Sequence, residues 1–401
     1  MTGDTPAPFR ISVPQAVLDD LARRLAAFRP PPSPEAPDWK DGMRADVLAE
    51  LVEYWRTTYD WRAQEAALNA LPQFRAACGP ASLHFVHVEG RGPAPMPLLL
   101  AHGWPDGFNR FSRIIPLLTD PGAHGGDPAD AFTVVAPSLP GYGFSPRAAH
   151  GTGAAQFGAI CHTLMTEVLG FARYGAHGGD IGSMVCEQLG RDHAEAVVGV
   201  HLTDVPLGHA QTPSGAVSAA ETRYLAAVQR FRAQGGGYMH IQGTRPWTPA
   251  AALNDSPAGL LAWMVEKFQA WSDCGDDPRR RYTPDELITN VMLYWVTQSI
   301  GTSFLAYRDF TKPGRARAAI EGAKALVAGQ GPGPGTGPGA PAGFALFPKD
   351  IASPPREWAE RFFDVRHWTE MPAGGHFAAL EEPGRLAADL RAFFRPLRPA
   401  R

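Results

Sequence analysis

Apolar residues in the first ninety positions recur with the period of a helix. Pro14 suits a first helical turn, and Val17, Leu18, Leu21, Leu25 and Phe28 follow on one face. The cluster Pro30-Pro31-Pro32-Ser33-Pro34 ends that helix, because proline cannot continue the hydrogen-bond ladder. A second amphipathic helix is predicted over 44–59, with Val47, Leu48, Leu51 and Trp55 on one side, and a third runs from Trp61 to Pro72. From Ser82 the pattern changes to short β-type runs parted by helices, with strands predicted at 83–88, 97–101, 132–136, 171–175 and 197–202. After Pro206 the β pattern stops, and 208–324 reads as aromatic-rich helices at 221–232, 260–271 and 284–300. Strands resume at 343–347 and 363–370, before a terminal helix near 383–394. A helical insert that interrupts a sheet is the pattern of a lid over a site. Residues 329–342, nearly all Gly, Pro and Ala, read as a mobile surface loop. This gives a helical N-terminal arm (1–80), a first core segment (81–206), a lid (207–325) and a second core segment (326–401).

With 401 residues, 44% apolar and 19% charged, the chain has the composition of a globular protein with a sizeable core. A formal charge of −3 gives no reason to expect nucleic acid or an anionic membrane as partner. Cys78, Cys161, Cys186 and Cys274 are scattered without a CxxC pair and read as free thiols of a reducing compartment. Residues 1–10 lack the basic start and apolar stretch of a signal peptide, and no apolar run reaches the roughly 18 residues that span a bilayer. The expectation is a soluble, cytoplasmic protein, and a homodimer is compatible with it.

Candidate chemistry centres on Gly178-Gly179-Asp180-Ile181-Gly182. Its small-x-nucleophile-x-small shape is that of a nucleophile elbow, a strained strand-to-helix turn that lifts one side chain into a pocket. The usual occupant is Ser; here it is Asp. A carboxylate attacks an electrophilic sp3 carbon and forms an alkyl ester, which suits epoxide opening or carbon–halogen displacement better than ester or peptide cleavage. Asp180 read as a plain helix N-cap is the rival reading. His102-Gly103-Trp104-Pro105 follows the strand at 97–101, where a loop supplies one oxyanion-hole N–H; Trp104 and Ile181 are the expected donors. His102 reads as a loop-holding residue. His376, in Gly374-Gly375-His376-Phe377 after the last strand, is the candidate base, ahead of His162, His177 and His367. The order nucleophile, acid, base points to Asp350 as its orienting acid, with Asp204 as the alternative. These pieces stand in the order of an α/β-hydrolase fold, a mostly parallel sheet flanked by helices. No His, Cys and carboxylate cluster appears at metal spacing, so neither metal nor cofactor is expected.

At this point the chain closely resembles the microsomal-type epoxide hydrolases over nearly its full length. The resemblance rests on Tyr59-Asp60-Trp61-Arg62, Leu68-Asn69, Leu71-Pro72-Gln73-Phe74 and the three motifs above, the last extended by Ala378-Ala379. In the insert it rests on Tyr238-Met239-His240-Ile241-Gln242, Ala252-Leu253-Asn254-Asp255-Ser256-Pro257 and Asn290-Val291-Met292-Leu293-Tyr294-Trp295. The resemblance implies two lid tyrosines that protonate the epoxide oxygen, falling on Tyr238 and Tyr307. A phenol with a pKa near 10 is a fitting acid for an alkoxide leaving group. Three departures stand out: Ile181 where the family commonly has Trp, Asp350 where it commonly has Glu, and no N-terminal membrane anchor.

The expectation is an enzyme that converts a small apolar epoxide and water to a vicinal diol through an ester on Asp180. A haloalkane dehalogenase with the same nucleophile is the closest rival, and a non-catalytic binder of small ligands is the rival from another class. Trp104, Trp247, Trp263, Phe268 and Trp271 are candidates for an aromatic pocket.

Overall fold

Nine strands form one sheet in the order β1-β2-β3-β5-β4-β6-β7-β8-β9 in the computed structural model, which describes residues 5–32, 38–148, 153–211, 216–311 and 339–398. The strands are β1 (Ala7–Phe9), β2 (Gln73–Cys78), β3 (Ala81–Val88), β4 (Met96–Ala101), β5 (Phe132–Pro137), β6 (Tyr174–Gly178), β7 (Val197–Leu202), β8 (Pro341–Leu346) and β9 (Asp364–Glu370). β1, β2, β3 and β5 pair antiparallel; every pairing from β5 through β4, β6, β7 and β8 to β9 is parallel. The inner parallel strands β4, β5 and β7 are buried on both faces, which is why they read as continuous apolar runs. This is the expected α/β-hydrolase architecture.

The arm departs from the purely helical reading. Helices α1 (Gln15–Ala26), α2 (Ala45–Thr57) and α3 (Trp61–Leu68) form, but α3 ends four residues early and 73–78 is a strand. β1 and β2 extend the sheet because Phe74 stacks on Phe85 across the β2–β3 pair, a contact that helical periodicity does not register. The arm also grips the lid: Arg24 donates to the Asp255 carbonyl (2.7 Å), Trp39 to the Asp276 carbonyl (2.7 Å), and Tyr54 to Asp285 (3.0 Å).

Helices α4 (Ile115–Thr119), α5 (Phe157–Thr163) and α6 (Ile181–Asp192) flank the sheet. The lid is α7 (Ala219–Gln234), α8 (Gly237–Thr244), α9 (Trp247–Leu253), α10 (Pro257–Ala270), α11 (Pro284–Thr297), α12 (Ile300–Ser303) and α13 (Leu305–Thr311). Three caps in it follow sequence rules: Ser218 with Glu221 and Thr283 with Glu286 form capping boxes, and Ser256 caps α10 ahead of Pro257. Residues 312–338, which hold most of the predicted Gly/Pro/Ala loop and the expected end of the lid at 325, lie outside the described residues. The last residues of that stretch open β8: Pro341 and Ala342 pair with Asp364 and Val365. Packing overrides weak propensity there, since Gly343 must admit the Phe393 ring. The sixth strand starts at Tyr174, not 171, because Gly170 turns the chain at φ +74° just before it.

Strand register gathers the loops. Ala101 pairs with Gly178, Gly178 with Leu202, and Leu202 with Phe344, so the chain leaves β4, β6 and β7 side by side at one edge. Past β8 and β9 a bridge between Lys349 and Gly375 sets the two remaining loops together. That edge carries every residue the sequence singles out in the core, as expected for a parallel sheet.

Candidate active site

Asp180 sits at the junction of β6 and α6 with φ 59° and ψ −124°, a backbone state that residues bearing a Cβ rarely adopt. The turn closes only because its neighbours are small: a methyl on Gly182 would run into the Ala101 carbonyl. Gly103 plays the matching role on the facing loop. A Cβ there would lie 2.5 Å from the Asp180 Cβ and 2.6 Å from its Oδ1. The close approach lets the Trp104 N–H donate to Asp180 Oδ1 at 2.9 Å. The Ile181 N–H also bonds the carboxylate.

His376 lies across the carboxylate, Nε2 to Asp180 Oδ2 at 3.6 Å, while its Nδ1 meets Asp350 Oδ1 at 2.7 Å. The His376 backbone is pinned too: its N–H donates to the Trp271 carbonyl at 2.8 Å, and its carbonyl accepts from Arg110 at 2.8 Å. Among the described residues Nε2 has no hydrogen-bond partner, and it faces the Asp180 carboxylate. Burial would strip the imidazole of its proton, but the charges of Asp350 and Asp180 outweigh it and raise its pKa well above the usual histidine value. Burial would likewise raise Asp180; the adjacent His376 and the Trp104 and Ile181 amides reverse that and hold it below the usual carboxylate range.

Asp204 does not contact the imidazole by a hydrogen bond. Its Oδ2 accepts the Asp180 backbone N–H at 3.2 Å, bracing the elbow from below. Burial, then the Asp350 charge, push its pKa up to about 7. Asp350 therefore meets the His376 side chain and Asp204 the Asp180 backbone.

Tyr238, on α8, and Tyr307, on α13, roof the site at 4% and 5% exposure. Their rings meet edge to face at 5.8 Å, and Tyr238 stacks on Trp104 at 5.1 Å with an 11° interplanar angle. Burial, then the Asp180 charge, raises Tyr238 well above 10 against a hydrogen bond with Tyr307 that lowers it, and burial, then the Tyr238 and Asp180 charges, raises Tyr307 likewise, so both phenols stay protonated. Trp271 completes the wall, 5.3 Å from Tyr238 and 5.2 Å from His376. The other pocket candidates separate: Phe268 stacks on Phe377 in the core, and Trp247 is 54% exposed.

His102 holds its loop. Nδ1 bonds the Gly103 carbonyl (2.9 Å), Nε2 accepts the Leu139 N–H (3.0 Å), and burial lowers its pKa to about 4. The Trp104–Pro105 peptide is cis. His177 meets His201 at 3.0 Å, and Asp389 accepts from His201 (2.8 Å), His367 (2.9 Å) and Thr369 (2.6 Å), a network that pins the helix α16 (Pro383–Phe394) to the sheet, after α14 (Arg356–Ala359) and α15 (Ala378–Glu381). Among the described residues, His162, His193 and Glu195 bring possible metal-ligand atoms within 4.8 Å of one another. They lie beyond the far end of α6, about 18 Å from Asp180 at its rise per residue, and the two imidazoles stack as parallel plates at 3.7 Å.

Sequence reasoning overlooked an ion pair here. Arg110, 3% exposed, meets Asp106, 1% exposed, at 2.7 Å. Asp106 immediately follows the His102–Pro105 run, and four-residue spacing of opposite charges was the signal available. Asn290 and Tyr294 were visible only as part of a lid match; they donate to the carbonyls of Pro105 (2.8 Å) and Asp106 (2.6 Å), tying α11 to the oxyanion loop.

Comparison with known proteins bears on this geometry. The family described as epoxide hydrolase N terminus matches residues 6–111, and the alpha/beta hydrolase fold matches 96–236. A Stigmatella aurantiaca protein is 39% identical across 98% of this chain and 85% of its own. Epoxide hydrolase 1 of Sus scrofa is 35% identical across 96% of this chain and 88% of its own. The solved structure of Aspergillus niger epoxide hydrolase superposes with a TM-score of 0.83 at 31% identity, covering 99% of this chain and 98% of that one. Among the described residues no helix is long and apolar enough to cross a membrane.

Proposed function

Because the chain belongs to the epoxide hydrolase family, we propose that its activity, hydrolysis of an epoxide to a vicinal diol, runs through an ester on Asp180. The observation that carries this reading is the His376 imidazole held between Asp350 and Asp180, facing a carboxylate that already occupies two backbone N–H groups. Asp180 Oδ2 attacks an epoxide carbon, the carbon–oxygen bond of the ring breaks, and Tyr238 and Tyr307 deliver a proton to the leaving oxygen. Oδ1, seated on the Trp104 N–H, becomes the ester carbonyl oxygen. His376 then takes a proton from water, which attacks that carbonyl carbon; the acyl–oxygen bond breaks, the protonated imidazole returns its proton to the departing former Oδ2 to complete the diol, and the proton of the regenerated Asp180 carboxyl restores the phenol spent in ring opening. The N–H groups of Trp104 and Ile181 hold the oxyanion, each worth roughly 3 kcal/mol by analogy with other oxyanion holes. Alkylation neutralises Asp180 and removes one of the two charges that hold the His376 proton, so the base is released when it is needed.

The aromatic wall of Trp104, Trp271, Tyr238 and Tyr307 supports an apolar, aryl-bearing epoxide as substrate. Four buried, unpaired cysteines support a reducing compartment such as the cytoplasm. Intact-mass analysis after styrene oxide treatment tests the mechanism: His376→Ala is expected to retain one covalent adduct, located at Asp180 by peptide mapping. Asp180→Asn is expected to form none and to lose turnover; native turnover in that variant would refute the assignment.

A further inference from the structure

The buried pair Arg110–Asp106 spans the two loops that the ester-hydrolysis step must keep in register. Asp106 Oδ1 accepts the Gly103 N–H at 3.1 Å, which fixes the turn that presents the Trp104 N–H to Asp180. Arg110 meets the other Asp106 oxygen at 2.7 Å through Nη1 and donates through Nη2 to the His376 carbonyl at 2.8 Å. One guanidinium thus carries the position of the oxyanion loop across to the base loop. Its Nη2 also passes within 3.9 Å of where a Cβ on Gly179 would stand, directly under the elbow. A buried charge pair is costly to keep in an apolar core, and an uncharged pair of the same volume would hold the fold as well. What apolar side chains cannot supply is a cation held 2.7 Å from the Asp106 carboxylate that also donates an N–H to the His376 carbonyl.

We propose that Arg110 and Asp106 are positioning residues that set His376 and the Trp104 N–H relative to Asp180, and that they serve ester hydrolysis more than ester formation. The inference rests on the mechanism given above. Ester formation uses Asp180 and the two lid phenols, none of which bonds to the pair. Hydrolysis needs the water-activating imidazole and the oxyanion donor at the same moment, and both hang from it.

The test resolves the half-reactions in single turnover, with enzyme in excess over styrene oxide, by quenching and quantifying the Asp180 adduct. Arg110→Gln is expected to slow adduct decay at least tenfold while adduct formation changes less than threefold, so that the adduct accumulates. Arg110→Lys, which keeps the charge but not the fork, is expected to recover only part of the loss. The neutral double variant Arg110→Met/Asp106→Leu separates positioning from folding: it is expected to melt near the wild type yet show the same slow decay. Formation and decay falling together in step with melting temperature, or decay unchanged in the stable double variant, would overturn the proposal. An adduct absent even from His376→Ala would instead overturn the Asp180 mechanism, so the two failures are distinguishable.

Discussion

Replacing Gly103 with Ala tests whether the elbow and the facing loop are in contact at their closest possible approach. The new methyl would stand 2.5 Å from the Asp180 Cβ and 2.6 Å from Oδ1. Carbon atoms at rest sit about 3.5–4.0 Å apart, so roughly 1 Å of separation must be found. Neither side can give it freely: Asp180 is held in a strained turn, and the Gly103 N–H is bonded to Asp106. The loop must move, taking the Trp104 N–H off Oδ1. A misplacement of about 1 Å at reacting groups costs on the order of a hundredfold in rate, or about 2.7 kcal/mol. Overpacking adds about 1–3 kcal/mol of lost stability. Steady-state diol formation and thermal melting measure both. Gly384→Ala, where a Cβ meets nothing within 4 Å, is the matched control and is expected to be neutral. Turnover of Gly103→Ala within threefold of the wild type would show that the loop and elbow are not pressed together as described.

The two titrations at the site predict different pH limbs. Asp180, held below the usual carboxylate range, keeps ester formation running at pH 5, whereas ester hydrolysis needs a neutral His376 and rises with pH; single-turnover rates from pH 5 to 9 check this, and a limb carried by formation alone would contradict it. Asp389→Asn removes a carboxylate that takes bonds from His201, His367 and Thr369 and is expected to cost about 2–4 kcal/mol at pH 7. Burial alone would raise Asp389, but those partners lower its pKa far below that, so its contribution is present above the unfolded value near 3.9 and is lost only as pH falls from there through the lower folded value. Melting curves of the two proteins are therefore expected to begin drawing together below about pH 4, and a gap that stayed constant down to the acid limit of the measurement would reject the linkage.

The turns that meet at the site were legible because local backbone requirements fix their residues. Gly178, Gly179 and Gly182 announce the strained turn at Asp180, His102–Pro105 the loop facing it, and Gly374-Gly375 the loop that carries His376. The strands β1 and β2 were not legible, since Ala7–Phe9 is three residues long and β2 joins the sheet through cross-strand pairing with β3. Which of Asp350 and Asp204 comes within 2.7 Å of the His376 Nδ1 depends on how the loops after β7 and β8 fold, and chain order alone does not contain it. Arg110 escaped notice for a related reason. Its partners lie 4 and 266 positions away, and only the fold makes them neighbours.

Asp180 occupies a dihedral state whose burden on the folded protein is roughly 1–3 kcal/mol. Glycine at that position would shed that strain. The Asp180→Gly protein is therefore expected to melt at a higher temperature than its parent while being inert. Directed-evolution campaigns that select for heat tolerance without monitoring diol would drift toward such proteins. Durability and reactivity compete here at one residue.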